Sequence, residues 1–274
     1  MPHSPSPDLD VDALRAAAGL AAVEHLAEIP STMDRARALA VDPLAALPAL
    51  VVADRQTAGR GRRGAAWWQA PGSLAASLVL DGAALDPAAA VPLTPLFALA
   101  SGVAVAETIR ALEPAVPARV RWPNDVVVGP GKLAGILVET APSGRLVIGV
   151  GVNTSGHSCD APATLRRRVA TLPDLTGRSL DRTACLAALV PRLLDLLARA
   201  LREPAGLLER YRGLCSLAGT TVTVHREDGR RVTGPCRGVD ASGALVVETA
   251  AGPFHFLSGS LTDPLDVWRG ADAP

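Results

Sequence analysis

Arg121-Trp122-Pro123-Asn124-Asp125-Val126-Val127-Val128-Gly129-Pro130-Gly131-Lys132-Leu133-Ala134-Gly135-Ile136-Leu137-Val138-Glu139 sets short apolar runs between two tight turns. Pro-Asn-Asp and Gly-Pro-Gly are turn formers, so the stretch predicts an antiparallel meander. Its strands are expected at 118–122, 126–128, 132–139 and 145–153. Pro142-Ser143-Gly144 makes the last turn. The same stretch holds the chain's single lysine: of 27 Lys+Arg, 26 are arginine and one is Lys132. Arginine presents a flat fork, lysine a compact point charge. A narrow slot between two oxygen groups suits the ammonium, although an Arg-biased composition could leave one lysine anywhere.

The strand after this stretch carries Ile148-Gly149-Val150-Gly151-Val152-Asn153. Alternation sends Ile148, Val150 and Val152 to a core and Gly149, Gly151 and Asn153 to the other face. Glycine inside a strand marks close approach by a ligand or by another part of the chain. Contact with a ligand is favoured here over a packed helix, because Asn153 ends the stripe and Gly135 lies in the adjoining strand.

Upstream, 49–54 reads as a buried strand and 73–80 as its return. Between them runs Gln56-Thr57-Ala58-Gly59-Arg60-Gly61-Arg62-Arg63-Gly64, then Trp67-Trp68. Glycines let a backbone approach a ligand, and the arginines supply an anion-binding field. Earlier still come a helix over 10–20, a strand over 23–29 and a helix to about residue 40, with Ser31 or Thr32 as N-cap and Asp34 in its first turn. A long apolar helix is expected over 92–112, with Leu96, Leu99, Val103, Ala106 and Ile109 inward. Residues 154–160 read as a loop and Arg166-Arg167-Arg168 as a solvated basic face. Residues 181–203 have helical period, kinked or split at Pro191, and 207–214 continue as helix. From about residue 219, short strands at 220–226, 231–239, 244–249 and 253–257 predict a small β-barrel-like unit. The domains are therefore read as 1–216 (1–9 disordered) and 217–268.

Formal net charge is zero, which argues against a coat for nucleic acid or an anionic membrane. Cys159, Cys185, Cys215 and Cys236 form no CxxC pair, so neither a disulfide framework nor a zinc site is expected. The start Met1-Pro2-His3-Ser4 is not that of a signal peptide. No apolar run is read as long enough to cross a membrane. The expected setting is a soluble, cytoplasmic protein.

Several segments together resemble the biotin–protein ligases. Gly59–Gly64 is similar to that family's GRGRRG loop, Trp122-Pro123-Asn124-Asp125 to its WPND turn and residues 132–139 to its KLAGILVE strand. Residues 148–153 resemble its GxGxN segment, and Ser31-Thr32 the start of its STN motif. They stand in the family's order over about residues 28–153, and the C-terminal unit extends the match to nearly the whole chain. The resemblance implies an α+β fold: a class II aminoacyl-tRNA synthetase-like mixed sheet with flanking helices, followed by a small SH3-like barrel. It implies activation of biotin with ATP and transfer to one lysine of a carboxylase biotin carrier domain. Lys132, Arg62 and Asp125 would be catalytic. Ser31, Thr32, Met33, Gln56, Gly59, Arg60, Gly61, Arg62, Lys132, Gly135 and Gly149 would bind biotin. Arg63, Trp67 (or Trp68), Arg121, Asn124, Asp125 and Asn153 would serve ATP. Magnesium would come in through Asp125 with substrate phosphates. Two positions depart from the family: Arg121 where lysine is usual, and Met33 where STN ends in asparagine.

Three other readings compete. A ligase that also represses transcription needs an N-terminal DNA-binding domain; only 30 residues precede Ser31, so no specific DNA binding is expected. A lipoate ligase would show a different glycine loop, and an octanoyl transferase needs a cysteine nucleophile, for which Cys159 alone sits in a candidate loop. A non-enzymatic biotin binder would leave the arginine loop and Lys132 without work. Monomer and homodimer both stay open, the latter through the edge of the meander.

Overall fold

The computed structural model describes residues 9–85 and 95–262. The expected disorder of the first nine residues falls outside these, apart from Leu9, which is buried. Helix α1 (Val11–Ala18) is capped by Asp10, whose carboxylate accepts the Ala13 N–H at 2.9 Å, and closed by Gly19 at φ 62°. Strand β1 (Ala22–Ile29), helix α2 (Thr32–Val41) and strand β2 (Ala49–Gln56) form a crossover, so β1 and β2 pair in parallel. The glycine/arginine loop follows, then β3 (Leu74–Leu80), a four-residue helix α3 (Gly82–Leu85) and α4 (Pro95–Leu112). Next comes the meander, β4 (Arg119–Arg121), β5 (Asp125–Val128), β6 (Gly131–Thr140) and β7 (Leu146–Val152). All four expected strands are there, each within a residue or two.

The large sheet has the order β1-β2-β3-β7-β6-β5-β4, antiparallel except for β1 and β2. One face is covered by α1, α4, α6 (Arg182–Arg202) and α7 (Pro204–Leu214) over the main core; α5 (Leu172–Thr176) precedes α6. On the other face α2 lays Met33, Ala36 and Ala40 on Ala49, Val51, Val79 and Val147. Beyond the N-terminus of α2 that face is left for the cavity.

Two helices depart from expectation. Helix α4 is 18 residues with mean hydropathy 1.4, long and apolar enough by length and composition to cross a membrane. Its apolarity belongs to the core: all five expected inward residues are buried, and so are Phe97, Ala100 and Val105. Helix α6 runs through Pro191 as one element, so of the two alternatives, a kink or a split, the split does not occur. Pro191 faces solvent, and Leu186, Leu189, Val190 and Leu193 stay buried on both sides of it, offsetting the lost backbone bond.

The C-terminal unit is a five-stranded antiparallel sheet ordered β11-β10-β9-β8-β12: β8 (Thr221–His225), β9 (Arg231–Val239), β10 (Leu245–Thr249), β11 (Gly252–Phe256) and β12 (Ser260–Leu261). The last strand was not expected. Val222, Val224, Cys236 and Leu245 join the main core, where β9 meets α7. The link also covers the meander's outer edge. Ser216 N–H donates to Val120 O at 2.8 Å, and Arg119 Nη2 to Cys215 O at 2.6 Å. That edge, considered above for a dimer, is therefore partly taken by the chain itself.

Candidate active site

A cavity of about 920 Å³ opens between the α2 face of the large sheet and the C-terminal unit. Its floor depends on one irregularity. Asp125 pairs with Gly135 and Val126 with Ala134, but Val127 pairs with Lys132, so β6 carries an extra residue there. Strict alternation would put Lys132 and Gly135, three residues apart, on opposite faces. The bulge brings both to the cavity face. Lys132 Nζ then sits 2.5 Å from Asp125 Oδ1, and Arg121 Nη2 holds the other oxygen at 3.1 Å. The turn is fixed from behind. Asn124 Nδ2 donates to Ile136 O at 2.6 Å, and Ile136 N–H returns to Asn124 O at 2.9 Å.

The glycine stripe is shaped by two side chains. A Cβ on Gly149 would lie 2.6 Å from Met33 Sδ; one on Gly151 would lie 2.6 Å from the Trp67 indole; one on Gly135 would lie 2.9 Å from Trp67. Only glycine admits these contacts. The packed-helix reading holds at Gly149, on which α2 lies, while a loop side chain, Trp67, covers Gly135 and Gly151. Trp67 also lies under Lys132, whose Nζ is 5.4 Å from a ring centroid. Of the two tryptophans Trp67 lines the cavity; Trp68 does not.

At the far end Gln56 closes the pocket. Its Oε1 accepts both the Thr32 N–H (2.9 Å) and the Thr32 hydroxyl (3.2 Å), and Ser77 donates to Thr32 Oγ1 at 2.8 Å. Gln56 thereby performs the capping expected of Ser31. Ser31 occupies the N-cap position in extended conformation, but its hydroxyl makes no capping bond and is buried without a partner. Gln56 Nε2 is left near Gly59, where a Cβ would stand 3.1 Å away.

The glycine/arginine loop folds on itself through Trp67 N–H to Gly59 O (2.9 Å) and Gly61 N–H to Ala65 O (2.7 Å). Arg63 adopts φ 55°, the one non-glycine residue with positive φ among those described. Each arginine has a different partner. Arg60 pairs with Asp34 of α2, which Arg37 also holds at 2.7 Å. Arg62 Nη1 donates to Gly259 O at 3.3 Å, and Arg63 Nη2 to Glu227 at 2.6 Å. Burial lowers the Arg62 guanidinium from its ordinary value, with Arg63 adding repulsion, while Asp125 and Glu227 act the other way. Guanidinium does not lose its proton in proteins, so this is a charge that an incoming anion would relieve.

Of the expected site residues, Thr32, Met33, Gln56, Arg60, Gly61, Arg62, Arg63, Trp67, Arg121, Asn124, Asp125, Lys132, Gly135 and Gly149 line this cavity together. Ser31, Gly59 and Asn153 do not. Asn153 lies furthest from its expected setting. Expected on the nucleotide side, it is buried, and its Nδ2 donates to Ala170 O (2.9 Å) and Lys132 O (3.3 Å). Strand β7 ends at Val152, so alternation no longer aims residue 153 at the cavity. Magnesium was expected only with substrate phosphates, through Asp125 and not held by protein alone. Among the described residues no three acidic, histidine or cysteine side chains converge, and both oxygens of Asp125 already face cations. The residues present do not fit a protein-held metal.

Sequence reading missed one wall. Ser216, Thr221, Thr223, Thr233, Ser260 and Thr262 line the cavity from the C-terminal side. Threonines in β-strands are ordinary, and only the packing of the two units gives them a common target. Asp34, read as a helix-dipole residue, was likewise not expected to hold Arg60.

Comparison with known proteins agrees with this arrangement. Residues 27–153 match the model of the Biotin/lipoate A/B protein ligase family. A Biotin–[acetyl-CoA-carboxylase] ligase of Paracoccus denitrificans is 39% identical over 142 residues, covering 48% of this chain and 54% of that protein. The chain thus spans about half the length of that relative. The corresponding ligase of Mycobacterium tuberculosis is 30% identical over 201 residues, 73% of each protein. The solved biotin protein ligase from Aquifex aeolicus in complex with biotin and ATP superposes with a TM-score of 0.76 at 26% identity, covering 88% of this chain and 97% of that one. With a 30% identical relative matched over nearly three quarters of its length and the family model matched across the cavity's motifs, the chain belongs to the biotin–protein ligase family.

Proposed function

We propose that this chain activates biotin with ATP to biotinyl-5'-AMP and passes the biotinyl group to one lysine of a carboxylase biotin carrier domain. The observation that carries this reading is Lys132 on the cavity face, between the glycine-backed Trp67 and Asp125, with Arg62 lining the same cavity. In the first step a carboxylate oxygen of biotin attacks the α-phosphorus of ATP. A new P–O bond forms, the bond to the β-phosphate oxygen breaks, and pyrophosphate leaves. Negative charge gathers between carboxylate and phosphate, where one compact ammonium serves both. In the second step the carrier amine attacks the acyl carbon, the C–O bond to AMP breaks, and the amine gives up a proton.

Thr32 and Gln56 suit the polar head of biotin, since Gln56 keeps Nε2 free of the Thr32 bonds. Met33 and the strands wall its apolar body. Arg60, Arg62 and Arg63 receive anionic groups, and Trp67 covers the base. The reading further takes the large sheet as class II synthetase-like and the five-stranded unit as an SH3-like barrel, divided near residues 216 and 217. A cavity walled by both units supports keeping water from the acyl-adenylate.

The test is pyrophosphate release by the full chain with ATP and biotin, then with lipoate in its place, followed by carrier domain. Biotin-dependent release and a carrier heavier by one biotinyl group are expected. Release with lipoate and none with biotin would overturn the reading.

A further inference from the structure

The ladder between β2 and β3 stops before the loop begins. Its last pair is Ala53 with Ala75, yet β2 runs on to Gln56, supported on its other side by β1. The side chain of Gln69 fills the gap. Its Oε1 accepts the Gln56 N–H at 3.0 Å, and its Nε2 donates to Asp54 O at 3.1 Å and Ser73 O at 3.0 Å. One carboxamide thus stands in for a peptide unit and ties together the chain entering and leaving the glycine/arginine loop. Asp54 is anchored again through its side chain, to His25 Nε2 at 2.8 Å and to the buried Arg182 at 2.7 Å. Although burial alone would raise the Asp54 carboxyl, these two partners bring it below its ordinary value.

We infer that Gln69 is a positioning residue that sets where the Gln56 carboxamide stands, and so tunes the head-group end of the cavity. This rests on the reading that Thr32 and Gln56 hold the polar head of biotin. Gln69 does not line the cavity, so it acts through Gln56. The requirement is specific to glutamine. Glutamate would face two carbonyl oxygens with a carboxylate, asparagine is one methylene short, and alanine leaves one N–H and two carbonyls without this partner.

The test compares the full chain with Gln69→Ala and Gln69→Glu. The readouts are KM for biotin, KM for ATP and kcat in pyrophosphate release, hydrogen exchange at the Gln56 amide, and Tm. In both variants KM for biotin is expected to rise about tenfold, the scale of a hydrogen bond left unmade. KM for ATP and kcat should stay within about twofold, and Gln56 exchange should accelerate. An unchanged KM for biotin, or equal rises in both KM values with a falling Tm, overturns the inference. If the wild-type chain releases no pyrophosphate with biotin, the functional reading fails separately. Exchange, which needs no substrate, then decides the anchoring, and unchanged Gln56 exchange in Gln69→Ala refutes it. If Gln69→Ala does not fold, Gln69→Glu carries the same measurements.

Discussion

Two cationic regions face the same cavity and are built in opposite ways. Lys132 and Arg121 stand on the meander, share Asp125 within one short stretch, and are backed by β6 and β7 and the Asn124 brace. Arg60, Arg62 and Arg63 hang on a loop, and each reaches a different element: α2, the approach to β12 and the β8–β9 turn. The backbone beneath the first pair is held by the sheet. The second group can release one partner at a time. Fixed placement suits charge that must meet a transition state, and separable contacts suit capture and release of substrate.

The sharpest way to break this contrast is at Lys132. Lys132→Ala is expected to cut adenylate formation about 10²–10³-fold with Tm within about 2 °C of wild type. Lys132→Arg should lose most of the activity too, and wild-type turnover there would remove the point-charge argument. Next is Gly151→Ala, which sets a Cβ 2.6 Å from the Trp67 indole. Trp67 must shift; KM should rise about tenfold, with about 1–3 kcal/mol lost in denaturant unfolding. Loop arginines should matter less singly. Glu227→Ala is expected to change KM for ATP by no more than about threefold, because the pair is exposed. Exchanging both charges, Arg63→Glu with Glu227→Arg, should not recover binding if Arg63 meets phosphate, and should recover it if the pair only holds the loop.

The smallest effect lies outside both regions. Asp174 accepts hydrogen bonds from Ser158 N–H and pairs with His157, which together outweigh burial and hold its carboxyl at about 2. A depressed folded-state value gives stability that is complete above the unfolded value of about 4 and lost as pH falls toward 2. After solvent screening this is about 1 kcal/mol. Asp174→Asn should therefore unfold more easily than wild type at pH 6 and equally at pH 2, read by urea titration.

Most of the strand set was legible because its signals are local: Pro-Asn-Asp, Gly-Pro-Gly and Pro-Ser-Gly stop strands wherever they occur. The cavity's motifs were legible for a similar reason, since a glycine at 135, 149 or 151 is required by whatever lies on it. Residue-by-residue roles were less so. Asn153 read as the end of a stripe because alternation was carried one residue past the strand. Ser31 or Thr32 read as a cap because a hydroxyl there usually is one, whereas Gln56, 24 residues after Thr32, accepts the Thr32 N–H. Gln69 had no signal at all, being one polar residue in a loop.

By itself, then, the amino-acid order determined the meander, the glycine positions, the strand–helix–strand order at the start and the single ammonium, all of which follow from turn chemistry, strand period and composition. Tertiary structure decided which face Lys132 occupies, because a bulge depends on how β5 pairs with β6 and not on the period of either strand. It also brought the threonines of the C-terminal sheet across from the arginine loop, since contacts between distant segments arise only when separate apolar faces are buried together.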